Sequence, residues 1–147
     1  MRAPITSKLI STLAACLLSA GAAFAQAPAS SPPATQSDFG VKIGKFFNEQ
    51  QKQAARKVFT QKYAKGKECP EGMAQKGKSC ASPWDQRYWA IGQALQPAVK
   101  VYPGPEPVVA ILPAAPKGYE YVRAADDILL IASGSKLVVD MIEHVTS

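Results

Sequence analysis

The stretch "DILLIA", Asp127 to Ala132, limits the fold more than any other part of this chain. After its leading aspartate it is apolar without a break, so neither alternate set of side chains faces water. Such a run reads as a central strand covered on each side. The neighbouring sequence must then supply both its strand partners and its two covering layers. Upstream, "GYEYVRA" alternates, with Tyr119, Tyr121 and Arg123 on one face and Glu120 and Val122 on the other. Downstream, "SGS" turns the chain into "KLVVDMI", Lys136 to Ile142. Val138, Met141, Ile142 and Val145 also keep helical spacing, so the end of the chain has two readings. Strand is favoured, because Val and Ile suit a pleated surface and the turn is short. The expected fold class is α+β: a small three-stranded antiparallel β-meander with a short helix, preceded by a basic amphipathic helix and a disulfide-closed loop.

The short helix comes from "YPGPEPVVAILPAAPKG", in which only Glu106 to Leu112 escapes the prolines. Pro107 suits a first turn and Pro113 stops the helix. Before it, "WDQRYWAIGQALQPAV" mixes aromatic and small residues and predicts a short strand near Tyr88 to Ile91. Further upstream, Lys45 to Lys65 lacks Gly and Pro and is rich in helix formers. Phe47, Ala54, Val58 and Lys62 trace one face, with Ala55, Phe59 and Tyr63 beside it, and Gly66 is placed to end the helix. Its basic surface suits solvent, an anionic membrane surface or an acidic partner.

The N-terminus gives an address. Arg2 and Lys8 are the only charges before a run of uncharged residues from Leu9 to Ala25, and Ala23 and Ala25 frame an A-x-A cleavage signal. This predicts a signal peptide over residues 1–25, cut between Ala25 and Gln26, and a periplasmic chain. Two variants keep the chain on the inner membrane: "LAAC" fits a lipobox that would lipidate Cys16, or the apolar run stays uncleaved as an anchor. Cleavage leaves 122 of the 147 residues, enough for one small domain and a tail. The formal charge falls from +6 to +4, because without Arg2 and Lys8 there are 15 basic residues against 11 acidic ones. The predicted organisation continues with a Pro/Ala/Ser-rich linker over 26–44, the basic helix over 45–65, the cysteine loop over 66–83 and an α+β domain over 84–147.

After cleavage, only Cys69 and Cys80 remain, in "CPEGMAQKGKSC". An oxidising compartment makes such a pair a disulfide, and Pro70, Gly72 and Gly77 let the chain turn back. Closing a loop of this size stabilises the folded state by about 3 kcal/mol in the chain-entropy picture. Zinc fits poorly, since two cysteines and His144 fall short of four ligands. A redox switch fits poorly too, since the C-x-x-C spacing is absent.

Catalytic templates are not met. A Ser-His-Asp arrangement would have to use His144, and "ASGSK" is not a G-x-S-x-G elbow. "GVKIGK", Gly40 to Lys45, is one residue short of a phosphate loop, and Phe46 stands where Ser or Thr would hold magnesium. Asp126 and Asp127 sit at an expected hairpin turn, where Asp is favoured. Neither an enzyme nor a cofactor is expected. The basic front has the charge for nucleic acid, but export argues against such a partner.

Together, "CPEGMAQKGKSC", "IGQALQP", "PKGYEYVRAADDILLIA" and "SGSKLVVDMIEH" resemble the RcnB-like proteins. That family includes periplasmic nickel/cobalt homeostasis factors and the CigR anti-virulence regulators. The likeness covers about residues 66–145. It implies a non-enzymatic envelope protein that modulates a membrane partner, metal transport or virulence regulation by protein contact; direct nickel, cobalt or copper binding is the alternative. This chain departs from the pattern at Glu71, where a second proline is common. It departs again at Lys136, where the family's turn has glycine; positive φ prefers glycine, so the type of the last turn stays open. His144, Met73 and Met141 are a thin supply of the imidazole and thioether ligands that late transition metals take.

Overall fold

The computed structural model describes residues 40–63 and 68–147. The expected leader, including Cys16, Ala25 and Gln26, lies outside the described residues, as do most of the linker and Gly66. Among the described residues the elements in chain order are α1 (Glu49–Tyr63), β1 (Ala74–Lys76), β2 (Ser79–Ala81), β3 (Tyr102–Pro103), α2 (Glu106–Val109), β4 (Tyr119–Ala124), β5 (Asp127–Ala132) and β6 (Val138–Ile142).

The expected meander is present, but it belongs to a four-stranded antiparallel sheet of order β3-β4-β5-β6, with a separate two-stranded hairpin β1-β2. The three-strand count is therefore corrected. β3 is only a residue pair, Tyr102 opposite Arg123 and Pro103 opposite Val122, inside a run of prolines that gives no strand pattern. β1 and β2 escape notice for a different reason. Most of their residues are exposed, so no apolar alternation marks them.

All of β5 is buried, and its two faces meet different layers. Ile128, Leu130 and Ala132 pack with Phe47, Ala55, Phe59, Val108 and Leu112 of the helical side. Leu129 and Ile131 pack with Trp89, Val99, Val122 and Val138. Each large side chain so buried contributes about 1.5–3 kcal/mol. The strand expected at Tyr88 to Ile91 does not form. That segment lays Trp89 against the sheet and turns at Gly92, whose φ is 83°. It then borders β6, where Gly92 N–H donates to Val138 O at 2.8 Å and Val138 N–H to Gln93 O at 2.9 Å.

The last segment is a strand, as favoured, but it is irregular. Leu130 faces Asp140 while Ile131 faces Val138, so Val139 is an extra residue in a β-bulge. Below the bulge Ile142 lies on the helical face, and above it Val138 lies on the opposite one. Lys136 adopts a φ of 57°, so the turn takes the left-handed conformation without the glycine. Its N–H closes onto Ala132 O at 2.9 Å.

α1 starts later than Lys45. Asn48 and Gln51 exchange side-chain to backbone hydrogen bonds at 3.0 and 2.8 Å, a reciprocal cap that sets the first turn. Phe46 and Phe47 remain outside the helix, and both donate their N–H groups to Asp140 Oδ2, at 2.7 and 2.8 Å. Ala55 and Phe59 are buried, whereas Ala54, expected on the inner face, is exposed. α2 ends at Val109, short of the expected Leu112.

A disulfide joins Cys69 to Cys80 and closes the loop that carries β1 and β2. Both sheet edges are guarded. Pro103 removes a donor from the β3 edge, and residues 92–95 together with Gly44, which donates to Val139 O, occupy the β6 edge. Among the described residues, no helix is long and apolar enough to cross a membrane.

Candidate functional site

The densest polar cluster forms where the β4–β5 turn meets the end of the chain. Asp127 opens β5 and is fully buried. Its Oδ2 accepts from Arg87 Nε at 2.6 Å and from Trp89 Nε1 at 2.8 Å. Its Oδ1 accepts from Arg87 Nη2 at 3.2 Å and from the backbone N–H of His144 at 3.0 Å. A carboxylate has about four acceptor positions, so these bonds use its capacity. Arg87 also reaches Glu143 Oε1 through Nη1 at 2.8 Å. Burial works against the Arg87 cation, but the hydrogen bond and charge of Asp127, helped by Glu143 and Asp126, outweigh it and hold the guanidinium above its ordinary range.

The turn itself is strained. Ala125 sits at a φ of 50° and His144 at 49°, conformations that L side chains rarely adopt. Their neighbours hold them: Val145 N–H donates to Asp126 O at 2.8 Å, and Arg56 Nε donates to Glu143 O at 3.0 Å. Residues 143–145 are thereby strapped across the turn.

The His144 ring lies 3.0 Å from Asp126 Oδ2 through Nδ1 and 3.4 Å from Arg87 Nη2 through Nε2. Arginine nitrogens only donate, so this contact is a hydrogen bond when Nε2 accepts and Nδ1–H donates to Asp126. A histidine–aspartate pair also belongs to hydrolytic triads, but there the far nitrogen faces a hydroxyl or thiol. Here it faces a guanidinium. The cleft beside it, about 160 Å³, is lined by Ser82, Trp84, Gln86, Arg87, Asp126 and His144 among others.

Asp126, Asp127 and His144 can each point one ligand atom to within 4.8 Å of the others. That grouping has hard and imidazole donors. Against it, Arg87 already occupies both oxygens of Asp127, and a cation entering there would meet the guanidinium charge.

Sequence reading placed Asp126 and Asp127 at a turn, and they are there. It missed the partners Arg87, Trp89 and Glu143, which lie 40, 38 and 56 positions from the atoms they bind. Cys69 and Cys80 lie elsewhere, in the stapled hairpin.

Fold and site together define a small disulfide-closed α+β domain with a satisfied polar cluster. No protein-family model matches the sequence, and no curated protein matches it. Among solved structures, the chain is similar to the C-terminal domain of inner membrane protein CigR from Salmonella enterica. The identity is 24%, the match covers 67% of this chain and 84% of that one, and the TM-score is 0.46.

Proposed function

We propose that this chain is a non-enzymatic protein of the bacterial envelope that acts by contact with a membrane or envelope partner. The observation that carries the reading is the closed state of the polar cluster. Asp127 is saturated by Arg87, Trp89 and His144, and the His144 ring is spent on Asp126 and Arg87, which leaves no activated nucleophile in the cleft. The leader, with Arg2 and Lys8 ahead of an uncharged run from Leu9 to Ala25, and the Cys69–Cys80 disulfide support export to an oxidising compartment. So does the resemblance of the cysteine loop and C-terminal motifs to the RcnB-like proteins. Retention by lipidated Cys16 or an uncleaved leader places the same domain on the same side of the membrane. The basic face of α1, with exposed Lys57 and Lys62, is a second contact surface suited to anionic headgroups.

Crosslinking in intact envelopes, followed by purification of the tagged chain, tests this. One defined envelope protein should be captured stoichiometrically; recovery of the chain alone, mainly in the cytosol, overturns the proposal.

Direct nickel, cobalt or copper binding is a second reading, favoured by the Asp126–Asp127–His144 grouping. Isothermal titration of the full chain with each metal separates the two. Stoichiometric micromolar binding that is lost in His144→Ala establishes the second reading and retires the first.

A further inference from the structure

Arg123 is 1% exposed, yet among the described residues no carboxylate bonds to it. Its Nη1 donates to Ala125 O at 2.6 Å and its Nη2 to Glu71 O, while Nε has no partner. The Tyr102 ring lies 4.9 Å from the guanidinium carbon. An arginine does not shed its proton in a protein, so this is a buried positive charge whose hydrogen bonds go to backbone carbonyls, with a ring face beside it and the Glu71 and Asp126 carboxylates acting on it without bonding to it. A buried cation without a directly bonded counter-ion is costly.

Two of the residues that hold Arg123, Tyr102 and Ala125, also line an open groove of about 410 Å³, along with Gly72, Pro83, Trp84 and Lys100. That size lies within the usual range for ligand pockets. Lys100 is the one charged residue in the lining, and it makes no ion pair among the described residues. The remaining wall is apolar or aromatic. Trp84 is 36% exposed, and outside the lining Tyr88, 49% exposed, meets its ring edge to face at 5.4 Å. Gly72 keeps the wall low: with a φ of 79°, a Cβ there would stand 2.5 Å from the Tyr102 ring. The groove therefore combines one cation, Lys100, with apolar and aromatic lining, and no acidic side chain lines it.

We propose that this groove is a docking site for an acidic peptide segment of a protein partner, with a carboxylate set against Lys100 above Arg123 and apolar or proline residues laid on Trp84 and Pro83. The inference rests on the contact function proposed above and names the surface and the partner's chemistry. A membrane is the weaker occupant, because a concave pocket with aromatic walls matches a side-chain-sized ligand, whereas the convex basic face of α1 matches a headgroup layer.

A random peptide library displayed on phage and panned against the full chain tests it. The expected result is enrichment of peptides with Asp or Glu beside apolar or proline residues. The best peptide, titrated by NMR, should shift the Trp84 indole signal. Lys100→Glu should bind it about tenfold more weakly, while Lys117→Glu, on the exposed segment before β4, leaves it unchanged. No enrichment, enrichment of basic peptides, or equal binding by Lys100→Glu overturns the proposal. So does binding confined to phosphatidylglycerol vesicles. A photocrosslinking residue at Tyr88, compared with one at Gln53, separates this failure from failure of the contact function. Capture at Gln53 alone removes the groove and leaves the function. Capture at neither, with peptides still bound, keeps the groove and removes the function.

Discussion

The sheet buries two carboxylates, Asp127 at the start of β5 and Asp140 in the middle of β6, and they are held in opposite ways. Among the described residues, Asp140 accepts only backbone N–H groups, from Phe46, Phe47 and Met141, the last at 2.9 Å. Asp127 accepts three side-chain bonds and one backbone bond, and Arg87 balances its charge. The first arrangement fixes architecture, because it ties the entry to α1 onto the bulged strand. The second gathers distant side chains at a surface cleft, where Arg87 keeps 28% of its side chain in contact with solvent. A buried carboxylate here serves either the chain path or the display of a charged cluster.

The largest predicted effect tests the Asp140 half of this contrast. Asp140→Ala strands three backbone donors at a buried site and should cost about 3–5 kcal/mol, measured by urea unfolding. A loss below about 1 kcal/mol would show that water replaces the carboxylate and that the pin is dispensable. Asp127→Ala should cost less, about 2–3 kcal/mol, because the partly exposed Arg87 can turn to solvent. If Arg87→Met is added to Asp127→Leu, part of that loss should return, since a matched apolar pair removes both charges. No return would mean that Trp89 and His144 need the carboxylate itself.

Breaking the staple sits at a similar level. Cys69→Ser with Cys80→Ser should cost about 3 kcal/mol, visible as a lower urea midpoint. His144→Ala should cost under about 1 kcal/mol, because the ring is 61% exposed and the backbone N–H that serves Asp127 is kept. A cost equal to that of Asp127→Ala would place the ring, not the carboxylate, at the centre of the cluster.

The smallest effect concerns Tyr121, outside both centres. Burial pushes its hydroxyl up to about 12, and it donates to Pro113 O at 2.8 Å. A raised phenol favours the neutral form in the folded state. Its contribution is therefore complete below the ordinary tyrosine range near pH 10 and is lost as pH climbs toward 12. Absorbance titration should show one tyrosine ionising late, and Tyr121→Phe should flatten the fall in stability over that interval.

What could be read from the sequence follows the reach of each signal. "DILLIA" announced a covered central strand because both alternate sets of its side chains are apolar, and the alternation of "GYEYVRA" placed its neighbour. The short Tyr102–Pro103 strand carried no such signal, since two residues among prolines cannot display a period. The bulge at Val139 was hidden for a related reason: Val138 and Val139 are the same residue, so a one-residue slip between them leaves the local pattern unchanged. The cluster around Asp127 depends on pairings tens of residues apart, which local spacing does not encode. The Asn48–Gln51 cap was the exception. Asn48 followed three residues later by Gln51 is a local capping signature, and attention to it would have started the helix after the two phenylalanines.

The guarded margins of the sheet bear on how the protein behaves when it is concentrated. With a proline on one rim and irregular chain along the other, neither side invites a second copy to add on in register. Ordered fibres grown strand by strand from the native fold are thus blocked at their first step, and any self-association must use side-chain surfaces.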